Sequence, residues 1–349
     1  MGDQQKRIAD WNLKIDDETI KASDGMEVSH IVVDLEVDKL DMCTVEFADM
    51  AKGVLKGNRH NIGDPMQVDL GYADGTKTLF LGECVGLEPA WPQGQPKALS
   101  VRGLDRLHRF KRGTQIRFWE KKKDSDIVKQ IASELGLSCK ADGTSEQHEY
   151  VLQNNVSDAE FLKYLARRNH YELFVKDKEL QFIKPPTGGG TEIELKYSLD
   201  IIDLQMRLNA IGQVGEVVVR GWDIFQKKEI VGKADKGKVS KGGGKKLGIE
   251  LAENTFGKSK TYVTDYPVKN QGEANALAEA LLNGIASQFL TGSGRTNGNP
   301  NLKPGATVKL KECGDYSGSY YVVSTRHVIG PGGYTTEFDF CSNTNGAGE

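Results

Sequence analysis

The stretch AENTFGKS, Ala252 to Ser259, is where the sequence comes nearest to a chemical motif. A phosphate-binding loop needs an early glycine for its tight turn and a helix that begins at the lysine, so that backbone amides and the ammonium converge on phosphate oxygens. Here the first glycine is missing and the residues that follow, KTYVTDYPV, alternate like a strand, so the segment reads as a plain loop. Histidine chemistry has no better support. The six histidines, at positions 30, 60, 108, 148, 170 and 327, include no close pair and no H-E-x-x-H. His327, in STRHVIG, reads as a hydrogen-bonded polar residue on a strand and not as a base or ligand. Neighbouring carboxylates such as Asp16 and Asp17 sit in turn-like sequence, where aspartate bonds local amides. No nucleophile, acid–base pair or metal set can be assembled, so no catalytic residue, metal or cofactor is expected.

Two basic runs remain. RLHRFKRGTQIRFWEKKK, Arg106 to Lys123, holds eight Lys or Arg against one Glu with Phe110, Phe118 and Trp119 interleaved, the composition of a nucleic-acid surface. With a formal net charge of -3 for the chain, a solvated connector with aromatics packed beneath it is the better reading. KADKGKVSKGGGKK, Lys233 to Lys246, has the Gly and Lys content of a mobile insertion.

The elements that must carry these residues are mostly strands. From Trp11 to about Gly103, short alternating runs punctuated by Gly, Pro and Asp predict an antiparallel β domain. Between Asp124 and Pro186 the period changes. Ile127, Val128, Ile131 and Leu135 share one helical face, Ser157 and Glu160 form a capping box ahead of Phe161, Leu162 and Leu165, and a hairpin turns at KDKE. Strands return after PPTGGG, interrupted by one long amphipathic helix whose face carries Ala274, Leu277, Ala278, Leu281, Leu282, Ile285, Ala286 and Phe289. The 349 residues allow two to three domains; five scattered cysteines without a C-x-x-C fit a reducing compartment, and the reading expects a soluble chain made in the cytosol.

The two β regions share a loose pattern. SVRGLD, ending at Gly103 and Asp105, resembles VVRGWD, ending at Gly221 and Asp223. GDPMQVDL before LFLGECVGLEP, with Gly63 and Gly82, resembles PGATVKL before YSGSYYVVSTRHV, with Gly305 and Gly318; Gly333 marks one further turn. Two related barrels, or chance, would each give this.

The succession VRGLDRLHRFKRGTQIRFW, KDSDIVKQIASELGL, YVLQNNVSDAEFLKYLARRNHYELFV, VRGWDIFQKKEIVGKA, LTGSGRTNGNPNLKPGATVKL and GSYYVVSTRHVIGPGGYTTEFDF resembles the phage late-control D family of baseplate hubs, which is similar to the N-terminal hub part of VgrG. The resemblance implies a mainly β chain with an α+β insert: a first tail-tube-like barrel over 1–110, the α+β insert over 111–190, and a second barrel over 191–349 with a long helix at 271–290 and a mobile basic loop at 233–260. It implies a homotrimer forming a pseudo-six-fold ring in a contractile tail or injection particle, located in the virion or particle baseplate and assembled in the bacterial cytoplasm. Its partners would be the tail tube protein, a separate spike protein near Ser342, Asn343 and Thr344, and baseplate wedge proteins, with the tape-measure protein as a further candidate. Neither membrane insertion nor catalysis is implied. The competing readings are a tail-associated wall hydrolase and a module that docks a glycan or effector through the α+β insert.

Overall fold

The computed structural model describes residues 8–22, 28–48, 61–94, 98–176, 178–184, 192–224 and 226–347; the PPTGGG connector lies outside them. The first lobe is built from β1 (Ala9–Ile15), β2 (Glu18–Lys21), β3 (Val28–Glu36), β4 (Met42–Ala48), β5 (Pro65–Tyr72), β6 (Gly75–Ala90) and β7 (Ala98–Leu104). Alternation along β3 and β4 turns Ile31, Val33, Cys43 and Val45 inward, where they meet Leu13, Val68, Phe80 and Val101. The α+β insert follows: β8 (Gln115–Lys123), α1 (Asp124–Glu134), β9 (Ser138–Ala141), β10 (Gln147–Val156), α2 (Asp158–Asn169), β11 (Glu172–Lys176) and β12 (Glu179–Ile183). Ser157 caps α2 in the reciprocal arrangement read from the sequence, and Phe161, Leu162 and Leu165 enter a core shared with Ile127 and Leu173.

The rest of the chain contains two units where the sequence suggested one barrel. β13 (Glu192–Lys196) and β14 (Ile201–Leu208) open the second lobe. The chain then leaves it for β15 (Glu216–Asp223), β16 (Lys228–Asp235), α3 (Gly248–Phe256), β17 (Lys260–Val263) and α4 (Gln271–Ser287), and returns for β18 (Leu290–Asn297), β19 (Thr307–Lys311), β20 (Gly318–Gly330) and β21 (Gly333–Ser342). The excursion has its own three-stranded sheet and its own core, in which Val217, Val219 and Ile230 face Ala274, Leu277, Ala278 and Leu282 of α4. The expected mobile loop over 233–260 is therefore corrected: it contains the end of β16, all of α3 and the start of β17. Ile249 and Ala252 are buried on α3, which outweighs the Gly- and Lys-rich composition just before it. The helix expected at 271–290 ends at Ser287 because β18 begins at Leu290.

One continuous sheet of 13 strands runs through both lobes, joined where β3 of the first pairs with β20 of the second. The proposed match of VRGLD with VRGWD fails. Gly103 lies on β7, inside this sheet between β4 and β6, whereas Gly221 lies on β15, in the separate sheet between β16 and β17. The lobes are nonetheless duplicates, by a different alignment. Six strands of the first lobe lie in the order β1-β5-β6-β7-β4-β3, and six of the second in the order β13-β19-β20-β21-β18-β14. Numbered by position in the chain, both orders are 1-4-5-6-3-2. Even the irregularities coincide. The register shift between Cys84 and Gly86 corresponds to that between Val322 and Ser324, and the shift between Val28 and His30 to that between Ile201 and Asp203. One pairing differs: β1 meets β5 antiparallel, β13 meets β19 parallel.

Candidate assembly surface

Inward alternation on β14, β18, β21, β20, β3, β4 and β7 leaves one outward face that crosses both lobes, and that face is polar. Its charges pair across strands: Arg295 Nε to Asp203 Oδ2 at 2.8 Å, Arg326 Nη1 to Asp34 Oδ1 at 3.2 Å, Arg102 Nη2 to Glu88 Oε1 at 3.1 Å. Ser324 Oγ donates to Asp339 Oδ2 at 2.6 Å. Partial burial raises the Asp34 carboxyl above its usual range although Arg326 opposes the shift. A groove of about 810 Å³ crosses this face beside Asp34, Asp203, Arg295, Arg326 and Glu337. Among the described residues no group of three or more His, Cys, Asp or Glu could hold a metal ion.

Of the repeated glycines one pair lies at matching places, whereas Gly82 stands against Tyr320 and not against Gly318. Gly63 (φ +100°) donates to the Cys84 carbonyl at 2.7 Å, and Gly305 (φ +84°) to that of Val322 at 2.9 Å, so these two glycines are counterparts. Gly82 and Gly103 sit where strands and side chains crowd, with Met66 Sδ 2.7 Å from where a Cβ on Gly103 would lie. Gly221 packs on Val268, Gly318 opens β20, and Gly333 turns β20 into β21. Asp105 Oδ1 accepts from Leu107 N at 2.9 Å, and Asp223 Oδ1 from Gln226 N at 2.8 Å, so each aspartate makes the local bond its type favours although their strands are unrelated.

The C-terminal residues are held within the chain. Thr344 is buried, its Oγ1 accepts from Gly244 N at 3.0 Å, and Asn343 Oδ1 accepts from Gly242 N at 2.9 Å, while Ser342 is itself buried at the end of β21. His327 is fully buried on β20, with Nε2 donating to Leu302 O at 3.0 Å and Nδ1 accepting from Tyr334 Oη at 2.9 Å; burial lowers its pKa to about 3, so it stays neutral. Of the basic run, Phe110 and Trp119 are buried, whereas Phe118 is exposed and stacks on Tyr150. Arg106, His108 and Arg109 converge on the buried Glu83. In the near-motif at 252–259, α3 ends at Phe256 where a phosphate loop would begin a helix. The carbonyl end of that helix, the wrong pole for an anion, approaches Lys258.

Sequence reasoning missed the buried polar ties between units. His148 Nε2 lies 3.2 Å from Asp124 Oδ1 and its Nδ1 2.5 Å from Glu273 Oε1, so it bridges the insert to α4, and Arg168 also pairs with Asp124. Tyr321 donates to Glu172, and Asp38 accepts from Leu173 N at 3.0 Å. Burial pushes Glu172 and Asp105 each up to about 7.

A family model described as the Alg8 N-terminal domain matches residues 5–330. No curated protein sequence matches the chain. Among solved structures it is similar to the 43 kDa tail protein of prophage MuSo2 from Shewanella oneidensis, at 10% identity and a TM-score of 0.72, covering 95% of this chain and 98% of that one. It is also similar to a tail protein from Neisseria meningitidis, at 12% identity and a TM-score of 0.70, covering 96% and 97%. A third similar structure is an Escherichia coli component of the type VI secretion system, at 12% identity and a TM-score of 0.62, covering 97% and 78%. At these identities the likeness is one of fold, and the fold is that of tail proteins.

Proposed function

The chain belongs to the Alg8 N-terminal domain family, and from its tail-protein fold and its duplicated lobes we propose that it is a structural, non-catalytic hub of a contractile tail or injection particle. In this reading it is a hub of the late-control D type. Three copies bring six lobes of like strand order around one axis, which suits a six-fold tube at one end, while the units present once per chain suit a three-fold spike at the other. The tail tube protein, a separate spike and wedge proteins are the proposed partners, with the tape-measure protein inside the tube. Because Ser342 and Thr344 are buried, the spike is proposed to meet the exposed surface around the C-terminal residues rather than those side chains. The observation that carries the reading is the matched strand order of the two lobes, register shifts included.

The test is an image of the assembled particle together with native mass spectrometry of the chain mixed with its spike. Three copies, with six lobes abutting the tube, are expected. A single copy, or six copies about the axis, would overturn the proposal.

A further inference from the structure

The lysine run that precedes α3 is fixed in place by residues from the other end of the chain. Residues 240–246 lie along residues 343–345, and the bonds fall on every second residue of the run: Gly242 N donates to Asn343 Oδ1 at 2.9 Å, Gly244 N to Thr344 Oγ1 at 3.0 Å and Lys246 N to Asn345 Oδ1 at 2.8 Å. Asn343 Nδ2 donates in return to Ser240 O at 2.7 Å, and Asn345 N to Lys246 O at 3.1 Å. The glycine content serves this fit, since a Cβ on Gly244 would strike the Asn345 carbonyl and the Thr344 side chain. A composition that would suit a flexible linker is here a strip pressed onto a neighbouring segment.

What the strip shows to solvent is charge of one sign. Lys238, Lys241, Lys245 and Lys246 are exposed, and none of them has a carboxylate partner among the ion pairs of the described residues, whereas Lys236 just before them pairs with Glu253 at 3.6 Å. No Asp or Glu stands between Asp235 and Glu250. Val239 and Leu247, the apolar residues near its two ends, are buried, so the strip has nothing to insert into a lipid surface. Nor does the run from Lys233 to Lys246 contain an aromatic residue on which a base could stack.

We propose that residues 238–246 form a docking strip for an acidic polypeptide segment of a second protein, whose Asp and Glu side chains pair with Lys238, Lys245 and Lys246. Charge complementarity selects the occupant: ammonium groups without counter-charge, on a backbone fixed by the bonds to Asn343, Thr344 and Asn345, match a run of carboxylates. Lys241 is left out of the pairing set because its Nζ already donates to Lys245 O at 2.7 Å. With the backbone held beforehand, little ordering remains to be done on this side of the contact when the segment arrives. The inference goes beyond the hub reading and holds whichever protein carries the segment.

The test titrates a labelled poly-glutamate peptide with the full chain and follows fluorescence anisotropy. Replacing Lys238, Lys245 and Lys246 together by Glu is expected to weaken binding by about tenfold or more, and added salt to weaken the wild type more than that variant. The same three positions changed to Gln should give a smaller loss of the same sign, which keeps the test readable if the reversal misfolds; circular dichroism checks that each variant folds. A free peptide of residues 233–246, which has the lysines without the fixed backbone, is expected to bind about tenfold more weakly than the chain. Lysine variants that bind poly-glutamate like wild type, or a free peptide that binds as tightly as the chain, would overturn the docking strip. Neither result bears on copy number in the particle, so the hub reading would stand. Single-stranded DNA or phosphatidylglycerol vesicles bound more tightly than poly-glutamate through the same lysines would also overturn it, in favour of a nucleic-acid or membrane surface.

Discussion

Arg168→Ala is expected to destabilise the chain by about 3–5 kcal/mol, the usual cost of taking one partner from a buried ion pair. Asp124 is almost wholly buried at the first position of α1. It accepts from Arg168 Nε at 2.7 Å, Asn169 Nδ2 at 2.6 Å and the His148 ring. Burial opposes the charge on Asp124, yet the bonds from His148 and Arg168 hold its pKa at about 2. Burial likewise opposes a charged His148, but Asp124 and Glu273 raise it to about 9 from the ordinary 6.5. The signs give a window. The contribution of Asp124 is present above 3.8 and is lost as pH falls through about 2, while that of His148 is complete below 6.5 and is lost as pH rises through about 9. Denaturant titrations of wild type and variant at neutral pH measure the gap. A His148→Gln variant should in addition remove the fall in stability between pH 6.5 and 9. A gap within about 0.5 kcal/mol, the range of ordinary surface substitutions, would mean that α1 and α2 of the insert are not held together by this pair.

Gly82→Val should cost about 3 kcal/mol or more and reduce soluble yield, because a Cβ there would run into the Leu104 carbonyl and the Phe80 ring. The carbonyl is backbone, within the β6·β7 ladder, and cannot turn aside without breaking pairs. Gly103→Ala is the instructive neighbour. Its nearest obstacles are Met66 Sδ at 2.7 Å and the edge of Phe80 at 2.9 Å, and the thioether can move, so the loss should be smaller. Thermal melts of the two variants side by side check the order, and the reverse order would show that the crowding at Gly82 is relieved elsewhere.

What the sequence disclosed was local. The capping box at Ser157 and Glu160, the hairpin after α2 and the apolar face of α4 involve residues a few positions apart, and their geometry follows from helical or strand period. The duplication was visible in one of its two signatures: Gly63 and Gly305 are counterparts, whereas the Arg-Gly repeat joined strands of unrelated sheets. Equivalent positions carry different residues, Gly103 against Phe340 and Cys43 against Gly292, so the lobes keep bulges and registers while letters diverge. Helix α3 escaped notice because it starts at Gly248 behind an N-cap, Leu247, that offers no capping side chain, and follows a run of glycine and lysine. The ties through His148, Glu172 and Asp38 had no signal at all. Their partners are 125, 149 and 135 positions away, and no spacing rule reaches that far.

The joint between β3 and β20 has a mechanical meaning. Chain segments that pack as separate bodies usually rock on a linker, but here six consecutive residues, Ser324 to Ile329, are laddered to Ile31 to Glu36. Bending the lobes against each other would strain that whole ladder at once, and each backbone group pulled free of it inside the sheet would be left without a partner. The pair is therefore a stiff beam with no hinge at its middle. A push delivered to one lobe arrives at the other as displacement, with little lost to flexing.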